Sequence, residues 1–169
     1  MEKSIGLVLQ NFTVFLLMAG LMHSGLFLWR SPKNHHLGSI IEALLAYFLL
    51  YSVAISYFYN FVIHVFFGEM IAEFIGWADS PFQAEVGFAS LGFAMVGILA
   101  FRGSFDLRLA AVVGPACFLW GAAVGHIWQI FHASNLAPGN AGTVLYTDIL
   151  IPVIGFGLLK LQQRYPSRS

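Results

Sequence analysis

Residues 37–75 read LGSIIEALLAYFLLYSVAISYFYNFVIHVFFGEMIAEFI, and how this run crosses a bilayer decides the fold. As one α-helix its 39 residues would measure about 58 Å, against a hydrocarbon core of about 30 Å. Either the helix is long, tilted and projecting, or it breaks near Asn60, within the aromatic cluster Tyr57-Phe58-Tyr59-Asn60, which reads as an interfacial belt. After such a break, residues 61–75 would lie in the interface or re-enter as a half-helix. Both versions leave the following turn, Gly76-Trp77-Ala78-Asp79-Ser80-Pro81, on one side of the membrane.

Working outward, the whole chain shares this apolar character. It is 59% hydrophobic and 9% charged with a mean hydropathy of +0.78, whereas soluble domains run near 25% charged, so the composition is that of a membrane protein. Four further spans are expected at Ile5–Trp29, Ala84–Phe101, Leu107–His132 and Thr143–Leu161, making five in one domain over residues 1–169. The first apolar run exceeds the ~7–15 residues of a secretory core segment and is expected to stay as a span. Zero net charge and the lack of any basic run exclude nucleic acid as a partner. Cys117, the single cysteine, has no partner for a disulfide or a thiolate cluster and reads as a small buried apolar side chain.

With five spans, Arg30, Lys33, Arg102, Arg108, Lys160, Arg164 and Arg168 share one face and Lys3 alone sits on the other. That asymmetry places the N-terminus outside and the C-terminus in the cytoplasm. The acids distribute in the opposite sense: Glu69, Glu73, Asp79, Glu85 and Asp148 fall toward the outer face, Glu42 and Asp106 toward the inner one.

Glu73 and Glu85 each lie about one helical turn from the 76–82 hairpin, and Glu69 one turn deeper on the same face as Glu73. His126 and His132 lie in the last turns of span four, and Asp148 about one turn inside span five. Ionisable groups at that depth cost about 2.5–3.5 kcal/mol each on insertion scales, so they should face one another or a wet cavity. Close carboxylates also resist joint ionisation unless a cation or a proton is shared. Two chemistries fit. In one, Glu69, Glu73, Glu85, His126, Asp148 and His132 ligate a divalent metal, an oxygen-rich set suited to manganese, iron or zinc. In the other, they relay protons or bind an ion in transit.

Plainer readings stand beside these. Glu69 and Glu73 could form the wet face of an interfacial helix. Glu85 and Asp148 could complement helix dipoles in a first turn, with Ser80 as cap and Pro81 at the first helical position. His132 reads as interfacial. Gly121 and Gly125 make a G-x-x-x-G pair, and Gly87 and Gly92 offer small surfaces on span three; all four are expected in helix packing. Haem is disfavoured, because its two axial histidines would have to come from facing positions at one depth, and only His64 with His126 comes near that.

The segment Gly76-Trp77-Ala78-Asp79-Ser80-Pro81-Phe82-Gln83-Ala84-Glu85-Val86-Gly87, preceded by Phe67-Gly68-Glu69, resembles an uncharacterised family of small multi-pass bacterial membrane proteins. The similarity lies mainly in residues 60–103. It implies a bacterial inner-membrane setting and carries no activity or ligand.

The expected function is therefore an inner-membrane protein with an outward-facing carboxylate and histidine site that binds a divalent metal or handles protons, with ion or small-solute transport as its activity. Two alternatives belong to other classes: a structural or assembly subunit of a larger respiratory or photosynthetic complex, and a membrane oxidoreductase using quinone or haem. Besides the lipid bilayer, the expected partner is a second copy of the chain or that larger complex.

Overall fold

A computed structural model describes residues 2–31 and 36–167, with side chains from Gly6 onward. Lys33 and Arg168, and the side chain of Lys3, all used in the charge count, lie outside the described residues. Everything regular among those residues is helical. Helix α1 runs Glu2–Arg30, α2 Leu37–Phe48, α3 Ser56–Phe66, α4 Gly68–Ile75, α5 Phe82–Ala100, α6 Phe105–Ala133, α7 Pro138–Ala141 and α8 Thr143–Arg164. A π-helical segment, Leu49–Ile55, joins α2 to α3 without interruption. Five segments are long and apolar enough to cross a membrane: Gly6–Arg30, Leu37–Phe66, Phe82–Ala100, Phe105–Ala133 and Pro138–Arg164.

Of the two versions expected for the second span, long or broken near Asn60, the break near Asn60 does not occur. The second span continues to Phe66 and breaks at Phe67, whose backbone leaves the helical region (φ −133°, ψ 35°). Asn60 stays helical because its side-chain amide has a partner across the helix interface, donating to Ser90 Oγ at 2.9 Å. The irregularity inside the span lies one to three turns earlier, in the π segment, where the widened coil lets Gly97 of α5 come against the Ala54 backbone. A Cβ at 97 would stand 2.8 Å from the Ala54 nitrogen, so this close approach requires glycine.

After Phe67 the chain forms the short helix α4, which ends on Gly76 in the left-handed region (φ 74°). The Trp77 amide donates to Ala72 O (2.9 Å) and the Gly76 amide to Glu73 O (3.0 Å), the double bond of a Schellman cap. Asn135 completes this terminus by donating from Nδ2 to Ile75 O and Gly76 O. The turn then enters α5 with Pro81 at the N-cap position and no side-chain cap, so Ser80 does not cap as expected. Instead the Ser80 amide donates to Asp79 Oδ1 (2.9 Å) and its carbonyl accepts from Gln83 N.

The spans alternate in direction, which gives the bundle two unlike ends. At one end α2 begins, α5 gives way to α6, and α8 finishes. That half holds the main core of Leu45, Phe48, Leu49, Val53, Tyr57, Ala94, Ala100, Ala111, Val112, Ile151 and Leu159. It also holds Arg108, 3% exposed, which forks onto Glu42 with Nη1–Oε2 2.7 Å and Nη2–Oε1 2.6 Å. The same guanidinium donates to the terminal carbonyls of α5, Ala100 O and Phe101 O, both at 3.2 Å, while Gln162 Nε2 donates to Glu42 Oε2 (2.8 Å). Three spans and one helix terminus are tied by this cluster. The opposite half, toward α4 and the 76–81 turn, contains a cavity in place of a continuous core.

Candidate functional site

That cavity measures about 540 Å³, and every span contributes to its wall. The second span supplies a polar row at i, i+4 spacing, Ser52, Ser56, Asn60 and His64, all four of which line it. One residue per turn on one helix face is the spacing that puts them in line, since 3.6 residues make a turn. Thr13 of α1 and Thr147 of α8 meet on the far wall through a 2.9 Å hydroxyl contact. Helix α4 closes part of one end with Ile71, Phe74 and Ile75. His64 donates from Nδ1 to Gln83 Oε1 at 2.6 Å, joining the second span to the start of α5.

The chemistry concentrates at His126 and Asp148, both buried (side chains 7% and 6% exposed), whose Nε2 and Oδ2 stand 3.7 Å apart. Asn140, fully buried between α7 and α6, determines how His126 is protonated. Its Nδ2 donates to His126 O (3.2 Å) and Asn135 O (2.9 Å), which turns Oδ1 toward His126 Nδ1 (2.8 Å) and Trp77 Nε1 (3.1 Å). An amide oxygen only accepts, so His126 carries a proton on Nδ1. In the neutral ring, Nε2 is then a lone pair facing Asp148. A lone pair and a carboxylate would repel in this buried place, so the pair needs one further proton, held as a carboxyl group or as imidazolium against carboxylate. The histidine, aspartate and asparagine together form one buried cluster beside the cavity.

Trp77 roofs this arrangement, its ring 5.4 Å from the imidazole centroid and 3.5 Å from where a Cβ on Gly125 would sit. Gly76 makes that possible. Its left-handed φ swings Trp77 inward, and a Cβ there would collide with Asn135 Oδ1 at 2.8 Å. Pro152, one turn beyond Asp148 on α8, has no amide hydrogen to return to the Asp148 carbonyl, which loosens the helix at the level of the pair.

The six expected site residues divide. His126 and Asp148 come together. Glu69 and Glu73 project from α4 on the face opposite buried Ile71 and Ala72, Glu85 is exposed in the first turn of α5, and none of the three lines the cavity. His132 is exposed and stacks on Trp128 at 3.5 Å between ring centroids. Among the described residues no group of three His, Cys, Asp or Glu side chains is arranged to hold a metal ion. The glycines divide too. Gly87 packs tightly against Val65 and Phe61 of α3, and Gly125 faces Trp77, whereas Gly121 and Gly92 each look onto open space.

Sequence reasoning did not find Asn140, Trp77 as a roof, or the row at 52, 56, 60 and 64. The row had a readable signal in its strict fourfold spacing within an apolar helix. Asn140 had none, because it lies in a turn-rich connection of ordinary loop composition.

Five apolar spans around a largely apolar cavity that carries a row of polar side chains define a multi-pass α-helical membrane protein. The chain belongs to a family of unknown function, DUF6790, whose model matches residues 10–168 and so extends well beyond the 60–103 segment that first drew the resemblance. No curated protein and no solved structure matches it.

Proposed function

We propose that this chain is an inner-membrane protein that binds a small solute in its cavity and couples that binding to a proton exchanged at the His126–Asp148 pair. The observation that carries the reading is the orientation of Asn140, which leaves a lone pair and a carboxyl group facing each other 3.7 Å apart in a buried site. Such a pair holds one proton in either of two places, the property a proton-linked carrier needs. The cavity volume supports the solute part, since small-molecule sites fall at about 300–1,000 Å³. The charge count of seven against one supports an N-terminus outside and a cytoplasmic C-terminus, which orients the hollow half outward.

Proton handling is preferred here to metal binding because the glutamates that would complete a ligand set point away from His126. Elemental analysis keeps the metal alternative testable: stoichiometric manganese, iron or zinc that disappears in Glu69→Gln with His126→Ala would favour it. The proton reading is tested by infrared difference spectra of reconstituted protein across pH. A protonated-carboxyl band or an imidazolium signature should titrate once in the wild type and be lost in Asp148→Asn. A wild type in which neither group exchanges a proton while folded sinks the reading.

A further inference from the structure

The cavity has an opening that the His126–Asp148 chemistry does not require, and it faces lipid. Helices α5 and α6 touch where Phe93 packs against Gly114 and Phe118, with the two rings 5.8 Å apart. Beside that contact and from there toward the turn, the cavity wall includes Phe82 and Val86 of α5 and Cys117 and Gly121 of α6. Cys117 and Gly121 are exposed although they line the cavity, and a Cβ on Gly121 would meet nothing within 4 Å. By helix rise Cys117 lies about 18 Å from the start of α6, near the middle of that span. The gap is therefore at membrane depth, where its surroundings are acyl chains.

Inside, the Ser52 hydroxyl awaits a partner. Ser52 Oγ, in the π segment, is buried (residue 4% exposed), lines the cavity and makes no hydrogen bond. A buried hydroxyl without a partner costs about 1–3 kcal/mol, and π segments recur where helices are shaped for ligands. No lysine or arginine is among the lining residues, so the wall offers no counter-charge to an anionic head. Ser52 lies about 18 Å from His64 along the span, so the polar row runs the length of an elongated space.

We infer that the cavity takes a neutral, elongated lipophile carrying a hydroxyl or carbonyl oxygen, which arrives sideways from the bilayer between α5 and α6 and hydrogen-bonds Ser52. This rests on the proposed solute site and names its ligand class. An alkylphenol with a photoreactive diazirine in its tail, added to the protein in lipid nanodiscs, is a direct probe. It should label saturably, with adducts on residues 52–64 and 117–126. Gly121→Phe fills the gap from a position whose side chain meets open space and should cut labelling about tenfold, a loss of about 1.4 kcal/mol in occupancy. Cys117→Trp on the same rim should do likewise, and Gly92→Phe, equally open but remote from the cavity, should not.

Labelling that does not saturate, or that falls only on outward-facing residues, overturns the inference. So does equal labelling of the Gly121→Phe and Gly92→Phe proteins. The two readings fail separately. Unchanged labelling of Gly121→Phe beside a carboxyl band that vanishes in Asp148→Asn removes the lateral route and leaves the proton site. Blocked labelling without any titrating band retains the lipophile and removes the proton.

Discussion

Among the described residues the bundle holds two ion pairs, one toward each end, and they are built to opposite rules. Arg108 and Glu42 are clamped at 2.6 and 2.7 Å, and helix-terminal carbonyls and Gln162 take up further donors and acceptors. His126 and Asp148 are 3.7 Å apart beside a cavity of about 540 Å³, with only the imidazole anchored from behind. A fork of two charge-assisted bonds holds both groups in their charged forms. The looser pair is short of one proton bond and has room beside it. The first pair ties helices together; the second is the one on which the proposed proton exchange rests.

The comparison can be broken most forcefully at the clamped end. Arg108→Met would strand Glu42, and breaking a buried pair costs about 3–5 kcal/mol, with the low end expected because the Glu42 side chain is 33% exposed. Thermal unfolding in mild detergent should show a large drop that the double variant Arg108→Met, Glu42→Leu largely restores. If the single variant unfolds like the wild type, the clamp is not structural.

The next effect is expected at Asn140. Replacing it with alanine removes partners from His126 Nδ1, Trp77 Nε1 and two carbonyls at once, for a loss of about 2–3 kcal/mol. It should also release the ring tautomer, so nitrogen chemical shifts of His126 would show both forms where the wild type shows one. A single unchanged tautomer in Asn140→Ala would mean that something else orients the ring.

The smallest effect should come from the acids that look most chemical in the sequence. Glu69→Gln, Glu73→Gln and Glu85→Gln each alter an exposed side chain outside the cavity and should shift stability by no more than about 0.5 kcal/mol. They should also leave the titrating band of Asp148 in place. A loss of that band in any of them would join these acids to the interior site and erase the contrast drawn above.

Those three glutamates show why the site was only half legible. Helical spacing from the 76–82 hairpin gives each a depth along its helix, but depth does not say which way a side chain faces. Helix α4 turned Glu69 and Glu73 outward because its other face is buried at Ile71 and Ala72, with Ile71 lining the cavity end. His126 and Asp148 were legible because polar groups inside apolar spans need each other. For the second span the sequence left two versions open, a long helix or a break near Asn60, and the bond of Asn60 to Ser90 on another helix goes with the continuous one.

By itself the sequence determined the membrane class and five spans, because hydrophobic length is a local property compared with a fixed bilayer thickness. It also determined that acid and imidazole would share the half of the bundle beside the 76–82 turn. Only the tertiary structure decided that Asn140 would set the tautomer of His126, that the glutamates would be left outside, and that Gly121 would line the cavity while exposed. Each of these depends on the rotation of one helix against another, which is set by close contacts such as Gly97 on Ala54 and Gly87 on Val65. Those contacts join residues far apart in the chain, so no local pattern records them.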